Sequence, residues 1–252
     1  MWTSSRGRVV AVVGIAVVLA LGGIPAAASI VNLSPTADAF VSASNASNNY
    51  GAAGALSVAA SSLAKGEFQG YMKFDTSSAK SSFDATYGAG NWTLQSITLQ
   101  LTAGAPNNPV FNSPAAAGQF SVTWIADDSW IEGTGNPSAP TTTGIAFNNQ
   151  PSLAGAAGLG TFSYNGATSG QTTYTLGLAP EFAADVSAGN LVSLHFLAAD
   201  SSVAYVFNSV NNSTVGNRPV LAITAGTPEP ATLSLLAAGV LFLARGKRGK
   251  RS

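Results

Sequence analysis

The chain has 252 residues, 46% hydrophobic and only 9% charged, with no cysteine, which excludes disulfides, thiolate metal centres and Cys nucleophiles and leaves stability to packing. Its formal charge of zero is unevenly spread, because seven of eleven cations sit at the two ends (Arg6, Arg8, Arg245, Lys247, Arg248, Lys250, Arg251). Residues 29–226 keep Lys65, Lys73, Lys80 and Arg218 against ten acids, a charge of −6 that argues against nucleic acid or anionic lipid as partners.

In chain order, Arg6 and Arg8 precede an apolar run from Val9 to Ile24, followed by Ala26-Ala27-Ala28. A basic start, an apolar stretch and small residues are the three parts of a secretory leader, so residues 1–28 read as a signal helix that signal peptidase removes between Ala28 and Ser29. Residues 29–226 are then enough for one β domain with a single core. The text from Ala37 reads as a short strand, an Asn/Ser loop, a Tyr-Gly turn and a second strand near Leu56 to Ala60. Phe68 to Phe74 alternates with period two, which places Phe68, Met72 and Phe74 on the buried face and Gln69, Tyr71 and Lys73 on the polar one.

Ile97, Leu99 and Leu101 form the next inward row, then Phe120, Val122, Trp124 and Ala126. After a long Gly/Pro/Thr loop come Tyr174, Leu176 and Leu178, then Val192, Leu194, Phe196 and Ala198, then Val203, Tyr205 and Phe207, and last Leu221 and Ile223. Eight or nine strands follow from these rows, and Pro180 to Val186 is the only helical stretch expected in the body. The class expected is all-β, a two-sheet β-sandwich with jelly-roll topology, flanked by the signal helix and a C-terminal hydrophobic helix.

Residues 227–252 have three parts: the tripeptide Pro228-Glu229-Pro230, an apolar run from Ala231 to Ala244, and the basic cluster Arg245, Lys247, Arg248, Lys250 and Arg251. The prolines hold the tripeptide extended, and the apolar run is short for a bilayer, which takes about 17–25 residues. The cations act as a stop on the cytoplasmic side. This order resembles the PEP-CTERM sorting signal of Gram-negative bacteria that make extracellular polysaccharide, although Thr227 stands where family members often carry Val. The resemblance implies a precursor held transiently in the inner membrane, and a membrane-embedded sorting peptidase of the exosortase type that removes the anchor and releases the protein to the cell surface or exterior.

The body carries a second resemblance. The segments ADAFVSASNASNNYGAAGALSV, YMKFD, SITLQL, SWIEGTGNP and FNSVNNSTVGNRPVLAIT, in that order, resemble the DNRLRE-type β-sandwich domain, a relative of jelly-roll carbohydrate-binding modules on secreted bacterial proteins. Asp75 stands where that family has a charged residue after its first sheet strand, whereas Pro106 to Gly118 and Thr141 to Thr143 depart from its pattern. The resemblance implies a non-enzymatic polysaccharide-binding protein of the extracellular matrix.

Chemistry-bearing residues are few. Asp127, Asp128 and Glu132 supply the carboxylates a glycosidase pair needs, so a secreted lyase or hydrolase is the alternative function, but a loop reading ADDSWIEGTGNP is also what a polar turn with Asx hydrogen bonds looks like. His195, the one histidine, falls on the polar face of its strand with no second histidine for a metal cluster and no triad. Tyr50, Trp92, Trp130 and Tyr164 are rim aromatics that either stack on sugar rings or fill the edges of a sandwich; Tyr50 and Trp130 are the ligand candidates. Asp38 and Asp200, near the first and last strands, are the candidate calcium ligands, because hard carboxylate oxygens suit that ion. A body without any ligand, an inert structural matrix protein, is the remaining reading.

Overall fold

The computed structural model describes residues 28–112 and 116–227; the leader, the PEP tripeptide, the apolar run and the basic cluster lie outside the described residues. The described chain is all-β, with strands β1 Ser29–Leu33, β2 Ala37–Ser42, β3 Ala55–Ala59, β4 Phe68–Asp75, β5 Thr93–Gly104, β6 Gly118–Ile125, β7 Ala157–Tyr164, β8 Gln171–Leu176, β9 Leu191–Ala198, β10 Ala204–Asn208 and β11 Val220–Gly226. Two helices interrupt them, α1 Ser77–Tyr87 and α2 Pro180–Ala188. No described helix is long and apolar enough to cross a membrane.

All pairings are antiparallel, in the order β1-β11-β5-β10-β3-β4-β9-β6-β7, with β2 on β4 and β8 on β5. The long strand β5 joins the two limbs of this network: Ile97 to Gln100 lie between β11 and β8, whereas Ala103 and Gly104 pair with Phe207 and Val206 of β10. The inward rows of both limbs meet in one core, where Ile97, Leu99, Leu221 and Ile223 share a cluster with Met72, Phe74, Leu194 and Phe196. Phe120 of β6 reaches Tyr174 of β8 at 5.3 Å and Tyr205 of β10 at 4.9 Å between ring centroids, so the sheet folds back on itself around these aromatics.

Among the described residues eleven strands replace the eight or nine expected. The two unforeseen ones, β1 and β7, each pair along one side only, at the ends of the strand order. β7 (AGLGTFSY) alternates poorly around Gly158 and Gly160 and carries a register shift opposite Val122 and Thr123, whereas β1 (SIVNL) alternates but exposes Ile30 and buries only Leu33, too short a row to stand out.

Helix α1 likewise departs from expectation. SSAKSSFDATY buries only Ala79 and Phe83, a single i,i+4 pair, which is too narrow a stripe to stand out in the sequence. Tertiary contacts hold it: the Trp92 indole donates to Asp84 Oδ1 at 2.8 Å, its ring lies 5.1 Å from Phe83, and Lys80 pairs with Asp84 one turn on. Helix α2 extends the expected Pro180 to Val186 stretch, starts on proline in its first turn and ends on the left-handed Gly189.

The largest correction concerns the face of β4 expected to be polar. All of Phe68–Phe74 is buried, because residues 126–150 cross that face and build a second core of Ala39, Val41, Tyr71, Ile125, Trp130 and Ile145. Lys73 fastens this cover. Its Nζ donates to the backbone carbonyls of Asp128 (2.6 Å) and Trp130 (2.7 Å) and stands 4.4 Å from the centroid of the Trp130 ring. His195, on the neighbouring strand, is buried too, stacked on Tyr71 at 4.9 Å and donating from Nε2 to Gln69 Oε1 at 2.7 Å.

Candidate functional site

Where β3 begins and β10 ends, Ala55 pairs with Asn208, and the chain on either side of each strand turns away to leave an open groove of about 510 Å³. Its floor holds Val206 and Phe111; its walls hold Asn107, Asn108, Asn136, Asn208, Asn211 and Asn212. Among the described residues no lysine, arginine, aspartate or glutamate lines it, although the Arg218 guanidinium stands beside it, with Nε donating to the Asn212 carbonyl at 2.9 Å. Six side-chain amides give a dense set of neutral donors and acceptors over an apolar floor, a surface suited to polyhydroxylated ligands.

A buried polar hub sets the shape of one wall. Asn49 is fully buried and uses its whole hydrogen-bonding capacity: Nδ2 donates to the carbonyls of Glu132 (2.6 Å) and Ile145 (2.8 Å), and Oδ1 accepts from the N–H groups of Gly51 (3.2 Å) and Gly135 (3.0 Å). Three loops are thereby tied at one residue. The approach is so close that a Cβ at Gly51 would overlap the Glu132 carbonyl, and Gly133, at φ +80°, leaves no room for one beside the Asn49 amide. In the sequence, Asn49 reads as part of a solvent turn, SNNYG, and nothing local to that stretch reveals that two remote loops close over it.

Behind the hub lie two carboxylates. Asp38 is completely buried, its Oδ2 accepts from the Val210 N–H at 2.6 Å, and its Oδ1 has no partner among the described residues. Burial, with the nearby Glu132 charge adding to it, pushes the Asp38 carboxyl up to about 7. Burial also raises Glu132, against the opposing hydrogen bond from Asn211. Asn211 links this pair to the groove, since its Nδ2 donates both to Glu132 Oε1 and to the Gly51 carbonyl (3.1 Å).

Several residues singled out in the sequence are placed differently from expectation. Tyr50 is 2% exposed and lies flat on Phe40, centroids 4.7 Å apart at 3°, within a satellite core with Phe68 and Phe111. Trp130 is 7% exposed and donates from Nε1 to Ser193 Oγ at 2.9 Å. Both rings fill the interior, which corrects the expectation that they offer stacking faces to a sugar; the apolar area a large aromatic gains in a core decides it. Asp200 does not approach Asp38. Its carboxylate caps the β9–β10 turn, accepting from the N–H groups of Gln119, Ser202 and Val203, and these bonds hold it below the usual carboxylate range. Asp38 contacts Val210 beyond the far end of β10, on the order of 20 Å away at about 3.3 Å per residue. The expected Asp38 and Asp200 calcium pair is therefore not assembled, and no group of three His, Asp or Glu side chains fit to hold a metal occurs among the described residues.

The carboxylates expected for a glycosidase are engaged in holding the cover. Asp127 accepts from the Ser129 N–H (3.0 Å) and hydroxyl (2.6 Å) and from the Ser152 N–H (3.0 Å), which lowers it. Asp128 accepts from the Ser193 hydroxyl at 2.6 Å and is raised by burial. At the N-terminal junction Ala28 is exposed and β1 begins at Ser29.

None of the curated proteins compared matches the chain. Among solved structures, a chain of Desmodium yellow mottle tymovirus aligns at 7% identity over 89% of this chain and 95% of that one, with a TM-score of 0.19, a likeness too slight to carry any argument. The model of carbohydrate-binding module family 96 matches residues 29–225, the whole β domain with its Asn-lined groove and the polar hub beneath it, and the chain therefore belongs to that family.

Proposed function

We propose that this chain is an exported, non-enzymatic matrix or surface protein that binds an extracellular polysaccharide through the groove between the start of β3 and the end of β10. The observation that carries the reading is the family match over residues 29–225, joined to a neutral groove whose walls supply six amides. The placement of the acids named in the sequence supports binding without cleavage. Asp38 is sealed from solvent, and Asp127, Asp128 and Glu132 are committed to hydrogen bonds that hold loops. A glycoside hydrolase of the common two-carboxylate kind needs both groups free to face one glycosidic bond.

The strand order, with the sheet folded back around Phe120 and Tyr174, is read as a two-sheet jelly-roll sandwich. In the same proposal signal peptidase cuts between Ala28 and Ser29, and an exosortase-type peptidase recognises Pro228-Glu229-Pro230 while Arg245, Lys247, Arg248, Lys250 and Arg251 hold the precursor in the inner membrane. Native affinity electrophoresis in gels cast with a panel of polysaccharides tests the binding. Retardation without shortening of the polymer is the expected result. Migration matching a blank gel throughout leaves only an inert structural role, and release of reducing or unsaturated ends marks an enzyme.

A further inference from the structure

The two ends of the strand order differ in how they meet solvent, and from that difference we infer that the protein forms a two-fold dimer by antiparallel pairing of β1 with β1 of a second copy. β7, at one end, is guarded against such pairing. Its register to β6 shifts at Val122 and Thr123, Gly160 sits at φ +145°, and the Leu159 carbonyl already takes the Gly177 N–H at 2.7 Å. β1, at the other end, has none of these devices. SIVNL carries no charge, no proline and no register shift against β11, and its hydrogen bonds go to β11 alone. Every second residue of such a strand turns its N–H and C=O away from its one neighbour, which leaves a row of donors and acceptors open to another strand.

A second copy fits this edge. On a two-fold axis through Val31 all five residues pair, Ser29 with Leu33 and Ile30 with Asn32 of the second copy. The pleat matches as well, because Ile30 and Asn32 lie on the exposed face of both strands and Ser29, Val31 and Leu33 on the core side. A slip of one residue would set core-side residues against exposed ones. Ile30, 62% exposed, and Val31, half-buried on the rim of the main core, are the apolar groups that gain cover.

Charge permits this contact and opposes others. Residues 29–226 carry −6, so two copies repel wherever their acids meet, but no charged residue stands in β1 or in β11, β5 and β8, the strands that continue its sheet. Beside β1, α1 carries only Lys80 and Asp84, which pair with each other, and Arg218 lies ahead of β11, held on the Asn212 carbonyl. Leader removal at Ser29 adds one terminal ammonium per copy; the two fall at opposite ends of the pairing, about 13 Å apart at 3.3 Å per residue. Five residues a side make this an interface of the small, transient class. β1 is three strands from β10 in the strand order, so each copy keeps its groove open, and in the function proposed above a dimer holds two polymer chains together.

Sedimentation velocity of the exported protein, from about 10 μM to about 1 mM, tests the pairing. The expected result is a mass that rises with concentration toward the dimer, more steeply at physiological than at low salt, because screening relieves the repulsion between two −6 bodies. Ile30→Lys with Asn32→Lys sets lysine against lysine across the axis and is expected to weaken dimerisation at least about tenfold. Ile30→Lys with Asn32→Glu sets each lysine against a glutamate of the other copy and is expected to restore it. Both positions face solvent, so melting temperatures of the two double variants stay within a few degrees of the parent. A parent that remains monomeric up to about 1 mM, a dimer indifferent to the paired lysines, or loss of the dimer in both double variants overturns the pairing.

Discussion

Asp38 and His195 are buried ionisable side chains that burial moves in opposite directions, Asp38 up to about 7 and His195 down to about 4. For Asp38 the folded value lies above the unfolded 3.8, so its contribution to stability is complete below that pH and is lost as pH rises through 7. For His195 the folded value lies below the unfolded 6.5, so its contribution is complete above 6.5 and is lost as pH falls through 4. Between about 4 and 6.5 the two slopes, each near 1.4 kcal/mol per pH unit, cancel. Asp38→Asn is therefore expected to give a protein whose denaturation midpoint falls on acidification from 6.5, and His195→Gln one whose midpoint falls as pH rises from 4 to 7. Two variants that both keep the parent profile would show that neither group titrates as its burial demands. Asn49→Ala strands two carbonyls and two N–H groups in the interior, and a loss on the order of 4 kcal/mol is expected in the same denaturation experiment.

The element with the least regular structure, residues 126–150, has the largest effect on what surrounds it. It buries both faces of β4 over Phe68–Phe74 and of β9 over Val192–Phe196, and is held by a few polar contacts: Lys73 on two of its carbonyls, Asp128 and Trp130 on Ser193, and Asn49 on the Ile145 carbonyl. Lys73→Met keeps the aliphatic stem and removes the two donors and the contact with the Trp130 ring. The cost expected is about 2 kcal/mol, and amide exchange should accelerate in 126–150 while Ile97–Leu101 and Leu221–Ile223 stay protected. Uniform acceleration across the chain would mean that the cover and the main core unfold as one unit.

For the whole molecule, the sorting proposal and the fold draw on different residues. Every pairing of β1 to β11 lies between Ser29 and Gly226, so the strands are complete without the leader or tail that the sorting proposal removes. Intact mass of the exported protein is expected to begin at Ser29 and to lack the run after the PEP tripeptide, and Glu229→Ala is expected to keep the protein cell-bound. A wild-type exported species still carrying residues 233–252 would sink the sorting proposal.

The sequence by itself determined the all-β class and the rows at Ile97–Leu101, Val192–Phe196, Val203–Phe207 and Leu221–Ile223, because period-two alternation is written locally wherever one face of a strand meets the core. It did not show α1, whose stripe is one pair of residues wide, β1, which buries only Leu33, or β7, whose alternation is broken at Gly158 and Gly160. The site was less legible still. Tyr50 and Trp130 were visible as aromatics, but whether a ring faces a ligand or a core depends on which remote segment lies over it, and here Phe40 and Lys73 do. Asn49, Asn211 and the pairing of Asp38 with Glu132 join residues more than 75 positions apart, so only the closing of three loops on one buried amide decided where the groove and its acidic backing would be.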